Sequence, residues 1–370
     1  MLITKGYKYR IYPNNVQEEY INSIFGSCRF VYNHFLEIRS NEWKDHKKSV
    51  SYKDTSRMLT LLKSVREYDW LKSCDSMALQ ESLKDLDRAY RNFFAKRGKY
   101  PGFKTKRDHK QSYRTRNQNN CVRIEGRYIL LPKIGKVKTR LSRSFEGRIL
   151  NATVSKSNTG KYYVSLCVEE ELMPKCNAGG IVSIDMGISD FYTDSNGHRQ
   201  ENPKVLKKYE KKLAREQRIL SRKVKGSKNY EKQRLKVARV HEKIADVRTD
   251  FLHKESTRLV SENQVIGIES LNVKGMIRNH HLSKSISDVS WSRFFSMLKY
   301  KSLEYGCEIV SVPAFYASSQ ICSYCGYKNS EVKDLSVRSW VCPVCGISHD
   351  RDVNAAVNIL NKTMMLISTV

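Results

Sequence analysis

The sequence lacks any long uninterrupted run of apolar residues. No stretch approaches the roughly 18 consecutive apolar residues of a membrane-spanning helix. Its opening residues, MLITKGYKYRIYP, contain no apolar core of a secretory signal. These two absences predict a soluble protein of the cytoplasm that has no membrane partner.

Acidic residues are scarce relative to basic ones. The 370 residues include 67 Lys and Arg but only 38 Asp and Glu, a formal net charge of +29. Such a chain repels itself unless a polyanion neutralises it. A solubilising surface rarely needs so one-sided a charge, and the basic residues are too dispersed to form one membrane-binding helix. We therefore expect nucleic acid as the partner.

Cysteines are present in two arrangements. Six of the ten are scattered, and we assign them no role. The other four form two Cys-x-x-Cys pairs separated by sixteen residues, each followed by a glycine that permits a turn, at Cys322, Cys325, Cys342 and Cys345. A redox site needs only one pair, whereas two pairs supply the tetrahedron of thiolates that structural Zn²⁺ requires. We predict a closed zinc ribbon.

Hydrophobic periodicity divides the chain into two parts. Tyr7, Tyr9 and Ile11 alternate with basic residues, which predicts a strand, and the next eighty residues carry helical patterns. Residues 121–170 have strand patterns with a hairpin turn at 158–160. After the linker NAGG at 177–180, apolar strands alternate with helical segments, which is typical of an α/β domain.

A basic segment with interleaved aromatic residues lies at 96–116. It contains nine Lys or Arg and one Asp, and Pro101 and Gly102 give it a shaped turn. A solvated loop is the simpler interpretation. The combination of charge, rings and a turn favours contact with a phosphate backbone and with bases.

Three carboxylates follow or adjoin apolar segments. Asp185 ends IVSIDMG, Glu269 ends QVIGIES, and Asp352 lies in HDRDVNAAVNIL directly after the paired cysteines. Each alone would more often be a strand-end or capping carboxylate. Together they could converge from two parallel strands and a helix to bind Mg²⁺ or Mn²⁺ for phosphodiester cleavage.

Residues beside these acids invite secondary roles. Asp350 would be a partner of the acids or a helix cap, and Arg351 and Asn354 would orient the acids. The ribbon would brace the segment that carries Asp352.

The order SIDMGISDF, IGIESLNVKGM, CSYCG…CPVCG, DRDVNAAVNI resembles the TnpB proteins of bacterial insertion sequences, OrfB-type proteins related to type V CRISPR effectors. The segments YKYRIYPNNVQ and YPGFKTK resemble the same family, so the similarity spans nearly the whole chain.

The resemblance implies an α/β plus α+β architecture. It assigns residues 1–13 and 96–176 to a wedge-type β-barrel with an inserted helical recognition lobe at 14–95. It assigns 177–317 and 347–370 to a RuvC-like nuclease domain with the RNase H fold, into which a zinc ribbon at 318–346 is inserted. Asp185, Glu269 and Asp352 become the catalytic, magnesium-binding acids.

The resemblance also implies an RNA-guided DNA endonuclease of the bacterial cytosol and nucleoid. Its partners would be a guide RNA from the transposon end and target double-stranded DNA beside a short motif, bound by a monomer. The implied nucleic-acid contacts are Lys5, Lys8, Arg10, Arg29, Ser76, Gln80, Phe103 and Lys104. The alternatives are a DNA-joining transposase with the same three acids and a zinc-ribbon DNA-binding regulator without catalysis.

Overall fold

The structure is a computed structural model in which residues 1–106, 111–334 and 336–368 are described. Small parts of the predicted basic segment, ribbon and final segment, at 107–110, 335 and 369–370, lie outside these residues. The chain divides into two units, Met1–Leu172 and Met173–Val370. In the described ranges, no helix combines the length and apolarity needed to cross a membrane.

The first unit contains a seven-stranded antiparallel sheet. Its strands are β1 (Leu2–Tyr12), β2 (Gln111–Arg116), β3 (Arg123–Glu125), β4 (Tyr128–Leu131), β5 (Gly135–Arg140), β6 (Arg148–Lys156) and β7 (Tyr162–Glu171). The strand order is β2-β6-β7-β1-β5-β4-β3. The predicted hairpin joins β6 to β7, and Tyr7, Tyr9 and Ile11 of β1 are buried as the alternation predicts.

In the part of this unit that the structure describes, three α-helices and one 3₁₀ helix pack with the sheet. They are α1 (Asn15–His46), α2 (Tyr52–Leu62), the 3₁₀ helix Arg66–Ser73 and α3 (Ser76–Phe94). Capping boxes begin α1 at Asn14 and α2 at Ser51, because each cap side chain satisfies a free backbone N–H. One continuous hydrophobic core joins the helices to the sheet.

The second unit contains a mixed five-stranded sheet. Its strands are β8 (Gly180–Met186), β9 (Asp190–Asp194), β10 (Arg199–Glu201), β11 (Asn263–Glu269) and β12 (Glu308–Val312). The order is β10-β9-β8-β11-β12. The β10–β9 and β9–β8 pairs are antiparallel, whereas β8–β11 and β11–β12 are parallel. The expected strand CEIVSVPAFYASSQ ends early, at Val312, because Pro313 and a turn follow.

Among the described residues of the second unit, the α-helices are α4 (Val205–Ser221), α5 (Lys228–Glu262), α6 (Val273–Met276), α7 (Ser283–Val289), α8 (Trp291–Tyr305) and α9 (Arg351–Ser368). The predicted helical hairpin is confirmed as α4 and α5, and Ser227 caps the second helix. Alternate residues of β8, such as Val182 and Ile184, share a core with α5 and α8. The intervening residues therefore face α9, which contacts β8 and β11.

The ribbon lies between β12 and α9. A short hairpin pairs β13 (Ser339–Val341) with β14 (Ser348–Asp350), and a 3₁₀ turn spans Glu331–Lys333. Val332 and Trp340 pack against the buried sulfurs of Cys322 and Cys342 in a small separate core. β14 runs directly into α9, so the ribbon and the helix that carries Asp352 are continuous.

Candidate active site and metal centre

The parallel register of β8 and β11 places Asp185 beside Glu269. Ile184 is the Cα partner of Ile268, so the next residue on each strand is an acid. Side chains alternate along a strand, and both acids follow isoleucines that are buried. Asp185 and Glu269 therefore project from the carboxyl ends of adjacent strands on the face that α9 covers.

Asp185 and Glu269 are close enough for each carboxyl group to shift the pKa of the other through a side-chain hydrogen bond. Desolvation by burial, followed by the negative charges of Glu269 and Asp352, raises the pKa of Asp185 well above its ordinary value. Burial also raises the pKa of Glu269, although a hydrogen bond from Ser318 opposes this. The Ser318 hydroxyl donates to Oε1 of Glu269 at 2.9 Å. Two carboxylates so placed repel each other unless a proton or a cation lies between them.

Asp352 lies in the first turn of α9 and is held mainly by arginines. Arg199 of β10 lies 3.5 Å from one oxygen of Asp352, and Arg338 lies 3.8 Å from the other. Arg199 also contacts Asp350 at 2.7 Å and Asp190 at 3.3 Å. The charge of Asp352 acts on Asp185, but its carboxylate is shared with these arginines.

The three acids are less tightly gathered than the four cysteines. Among the described residues, only the cysteines form a group of three or more candidate ligands whose atoms all lie within 4.8 Å of one another. The structure thus joins Asp185 and Glu269 directly and places Asp352 within electrostatic range of Asp185.

The two residues before Asp352 cap α9 and connect it to the ribbon. Asp350 is a helix cap, because its Oδ1 accepts from the N–H groups of Asp352 at 3.1 Å and Val353 at 3.0 Å. Arg351 is buried and donates to the backbone oxygen of Asp334 at 3.0 Å. The charge of Arg351 also favours the ionised form of Asp185, and the role of Arg351 in orienting the acids stays a prediction.

Asn354 contacts the backbone beside Cys322, the first cysteine of the ribbon, through two hydrogen bonds. Its amide donates to the Ile321 carbonyl at 2.7 Å and accepts from the Ser323 N–H at 3.0 Å. Ile321 and Ser323 flank Cys322, so these hydrogen bonds connect the ribbon to α9. Among the described residues, no hydrogen bond joins Asn354 to the three acids, so its expected role in orienting them stays a prediction.

The four cysteine sulfurs have the spacing of a tetrahedral metal site. Sγ of Cys322 lies 3.6 Å from that of Cys345, and the same distance separates Cys325 and Cys342. Four thiolates at Zn–S bonds of about 2.3 Å lie about 3.8 Å apart. Burial opposes ionisation of Cys342, but hydrogen bonds from the backbone of Cys345 and Val344 bring its pKa to about 7. The donor set therefore fits zinc.

The predicted nucleic-acid contacts of β1 lie on its polar side. Lys8 is exposed and sits over the Tyr163 ring, with its Nζ 4.4 Å from the ring centroid. Arg10 lies over the Tyr12 and Tyr163 rings. Lys5 is 3.2 Å from Glu170.

The remaining predicted contacts lie on the helices and the basic segment. The two on α3 differ, since Ser76 is exposed while Gln80 accepts hydrogen bonds from Tyr52 and Ser56. Arg29 lines a surface cavity of about 360 Å³ on α1. Phe103 is 61% exposed, and Lys104 lies over the Tyr32 ring.

Sequence reasoning missed Arg199 and Ser318. Arg199 follows a turn in a short edge strand, and Ser318 lies in the irregular segment after β12. Neither position has an apolar period or a metal-ligand spacing. Only the strand order and the connection after β12 place them against the acids.

Three family models match the chain. The model described as "Probable transposase" matches residues 165–280, and the model described as "Cas12f1-like, TNB domain" matches 291–359. A model described as "Helix-turn-helix domain" matches 1–48. In the structure this last stretch forms strand β1 followed by the single long helix α1.

Curated relatives are similar along most of their length. A protein of Streptomyces pristinaespiralis named "Putative RNA-guided DNA endonuclease" is 41% identical over 97% of this chain and 89% of its own. A protein of Escherichia coli K12 named "Putative RNA-guided DNA endonuclease InsQ" is 37% identical over 96% and 91%.

Two solved structures have a similar fold. The protein in a structure of a Cas12f1–sgRNA–target DNA complex aligns over 97% of this chain and 99% of its own, with a TM-score of 0.61 and 12% identity. The mini-RNA-guided endonuclease Cas-phi3 aligns over 98% and 92%, with a TM-score of 0.50 and 10% identity. At these identities the similarity establishes a mixed α/β fold and nothing about the chemistry.

Proposed function

The chain belongs to the TnpB family, and we propose that it is an RNA-guided endonuclease that hydrolyses DNA phosphodiester bonds. The names of its relatives support the activity. The observation that carries the proposal is the pairing of Asp185 with Glu269 at the ends of two parallel strands. A carboxyl pair at such a strand edge is suited to hold hard divalent cations against a phosphate.

We assign the catalytic, magnesium-binding role to Asp185, Glu269 and Asp352. Bound Mg²⁺ or Mn²⁺ would polarise the phosphate and lower the pKa of an attacking water. Asp185 and Glu269 supply the two adjacent carboxylates, and Ser318 fixes the orientation of Glu269 through its hydrogen bond. Asp352 would supply a third carboxylate from α9. Its ion pair with Arg199 would then have to weaken, so that the carboxylate can reach a cation.

The second unit is assigned a RuvC-like RNase H fold. Support comes from a sheet in which an antiparallel three-stranded meander precedes two parallel strands, with order β10-β9-β8-β11-β12. Helix α9 then covers the strand ends that carry the acids. The first unit, with its antiparallel sheet and long helices, is assigned as the wedge barrel and recognition lobe.

The four-cysteine ribbon is proposed to bind one structural Zn²⁺. The sulfur distances fit a closed tetrahedron, so this metal has no open position for catalysis. Arg351 and Asn354 connect the ribbon to the first turn of α9. The ribbon therefore helps to fix the position of the first turn of α9, which contains Asp352.

The proposed partners are a guide RNA and target DNA, bound by a monomer in the bacterial cytosol near the nucleoid. The net charge of +29 supports polyanionic partners. The predicted contacts on β1, α1, α3 and the basic segment keep their assignment, and Lys8, Ser76, Phe103 and Lys104 are exposed among them. Base pairing by the guide would supply sequence specificity.

The experiment that tests the function combines RNA sequencing with programmed cleavage. The chain is purified, its bound RNA is sequenced, and DNA complementary to that RNA is offered with Mg²⁺. Asp185→Ala and Glu269→Ala should each reduce cleavage by roughly a thousandfold or more while leaving RNA binding intact. Glu201→Ala, which removes an exposed carboxylate of the same sheet, is the matched control and should cleave normally.

The same experiment separates the alternatives. A DNA-joining transposase would yield joined ends whose positions do not follow a changed guide. A regulator without catalysis would bind DNA equally well with and without the acids. Cleavage that moves when the guide sequence is changed contradicts both alternatives, and unchanged cleavage by Asp185→Ala contradicts the proposal.

A further inference from the structure

Phe315 presents its whole ring to solvent. Its relative exposure is 104%, the highest among the exposed large apolar residues of the described chain. Single exposed apolar residues are common on protein surfaces. Exposure therefore identifies a candidate surface and needs a second observation to give it meaning.

The backbone of Phe315 adopts a conformation that a phenylalanine disfavours. Its φ is +66°, in the left-handed region. The N–H of Tyr316 donates to the carbonyl of Pro313 at 3.3 Å, so Phe315 occupies the third position of a β-turn. A positive φ at that position normally selects Gly or Asn. A bulky residue there is a conformational outlier, and such outliers cluster at functional sites.

The segment after the turn is anchored against the acidic site. The Tyr316 hydroxyl donates to the Asn358 carbonyl at 3.4 Å, and the Asn358 amide donates to the Ser318 carbonyl at 2.8 Å. Ser318, three residues beyond Phe315, donates to Glu269. The segment that carries the Phe315 ring is therefore held by hydrogen bonds to α9 and to Glu269, a proposed catalytic carboxylate.

We propose that the Phe315 ring is a stacking platform for a nucleobase of the single-stranded DNA that passes the acidic site. Aromatic side chains bind unpaired bases by stacking, and every base offers a face to the ring. The strongly basic chain favours a nucleic acid over an apolar protein partner. The inference rests on the proposed function, because only a substrate strand at Glu269 would bring an unpaired base to this turn.

The test measures base stacking and turn strain separately in the full chain with its co-purified RNA. A single-stranded DNA oligonucleotide containing 2-aminopurine is titrated without divalent cations, and its fluorescence and anisotropy are followed. Phe315→Gly removes the ring and relieves the positive φ, Phe315→Tyr retains the ring, and Phe315→Leu retains apolar bulk without an aromatic face. Ala314→Gly, in the same turn, is the matched control.

Stacking predicts a specific order of results. Phe315→Gly and Phe315→Leu should bind the DNA about tenfold more weakly and lose fluorescence quenching. Phe315→Tyr and Ala314→Gly should match the unmodified chain. The melting temperature of Phe315→Gly should equal or exceed that of the unmodified chain, because Gly accepts the left-handed φ.

Three outcomes would overturn the inference. Equal DNA binding by all variants removes the stacking role, and equal weakening by Tyr and Gly assigns the effect to the turn. Quenching by an RNA oligonucleotide only would assign the ring to RNA and not to the DNA strand. Because binding is measured without cleavage, these results are independent of the catalytic test, and loss of stacking with intact guided cleavage leaves the proposed function standing.

Discussion

Asp185 shows how neighbouring carboxyl groups destabilise the folded protein when they ionise. Burial and two neighbouring acids raise its pKa, so the folded state holds a proton more tightly than the unfolded state does. A raised carboxyl pKa contributes stability at acid pH that is lost as the pH rises through the folded-state pKa. At neutral pH and without Mg²⁺, ionisation of this carboxyl group therefore opposes folding.

Asp185→Asn should raise the free energy of unfolding in Mg²⁺-free buffer. The amide has nearly the same shape and removes the charge repelled by Glu269, so a gain of about 1–2 kcal/mol at neutral pH is expected. Urea unfolding at acid and neutral pH measures it, and the gain should shrink in acid. Asp45→Asn, at an exposed carboxylate of α1, is the control. A loss of stability at neutral pH would contradict the repulsion argument.

Lys301 is a buried charged group on α8, remote from the three acids in sequence. Its ammonium donates to the carbonyl of His253 at 2.7 Å and to the hydroxyls of Ser256 at 2.8 Å and Thr257 at 2.7 Å. Desolvation lowers the pKa of Lys301 to about 8, although the charge of Glu304 opposes this. The hydrogen bonds connect α8 to α5.

Lys301→Met should change how stability depends on alkaline pH. An unfolded lysine has a pKa of about 10.4, so the unfolded chain holds the additional proton between about pH 8 and about pH 10. The contribution of Lys301 to stability therefore rises over this range. The difference in unfolding free energy, unmodified chain minus Lys301→Met, should increase by about 1–2 kcal/mol between about pH 8 and about pH 9.5.

The Lys301 prediction is checked by denaturant unfolding across that range. Tyrosines and cysteines with raised pKa values make the unfolding free energy fall with pH. Because they do so in both proteins, the difference in unfolding free energy between the unmodified chain and Lys301→Met isolates the contribution of Lys301. Lys254→Met, at an exposed lysine of α5, should follow the unmodified chain. A constant difference between the unmodified chain and Lys301→Met would show that burial does not lower this pKa.

At the scale of elements, the contact between α9 and the sheet determines where Asp352 lies. An added Cβ at Gly267 of β11 would lie 2.1 Å from Oγ of Ser183 and 2.3 Å from Oγ1 of Thr363. Real Cβ atoms do not approach other atoms so closely. The close approach of α9 to β8 and β11 therefore requires glycine at this position.

Gly267→Ala should displace α9 and weaken both stability and cleavage. Overpacking at a buried contact costs about 1–3 kcal/mol. Moving α9 also moves Asp352 relative to Asp185, so cleavage should fall by more than the folded fraction does. Gly6→Ala, in β1 where an added Cβ meets no atom within 4 Å, is the control for stability. Equal unfolding free energies for the two variants would contradict the packing argument.

The elements that the sequence predicted are those whose causes are local. Strand ends at Asp185 and Glu269 follow from apolar runs, and their adjacency follows from parallel pairing of β8 and β11. The periodicity before residue 95 predicts helix but not the division at the 3₁₀ segment, although Asp75 is the cap that begins α3. Arg199 and Ser318 depend on long-range topology, which no local period encodes.

At the scale of the whole molecule, net charge favours nucleic acid as the class of partner but does not indicate where such a partner would bind. The charge of +29 is a sum over both units. Lys8 and Arg10 point away from the core of β1, because their neighbours Tyr7, Tyr9 and Ile11 occupy the buried face. If these residues form a defined binding surface, removing one of their lysines should weaken binding more than removing an exposed lysine elsewhere. If the protein attracts nucleic acid only through its total charge, the two removals should have the same effect.

Salt dependence distinguishes these two kinds of binding. For single-stranded nucleic acid, the logarithm of the binding constant falls with the logarithm of salt concentration by about 0.7 per neutralised phosphate. Lys8→Ala should therefore reduce the slope for a labelled single-stranded RNA by about 0.7, or less where one lysine contacts the phosphate only in part. Lys232→Ala, at an exposed lysine of α5, removes the same charge from the other unit. Anisotropy titrations over a range of KCl concentrations measure both slopes. A slope that changes for Lys8→Ala but not for Lys232→Ala locates the RNA on β1, whereas equal changes would mean that charge acts diffusely and that β1 is not a defined contact.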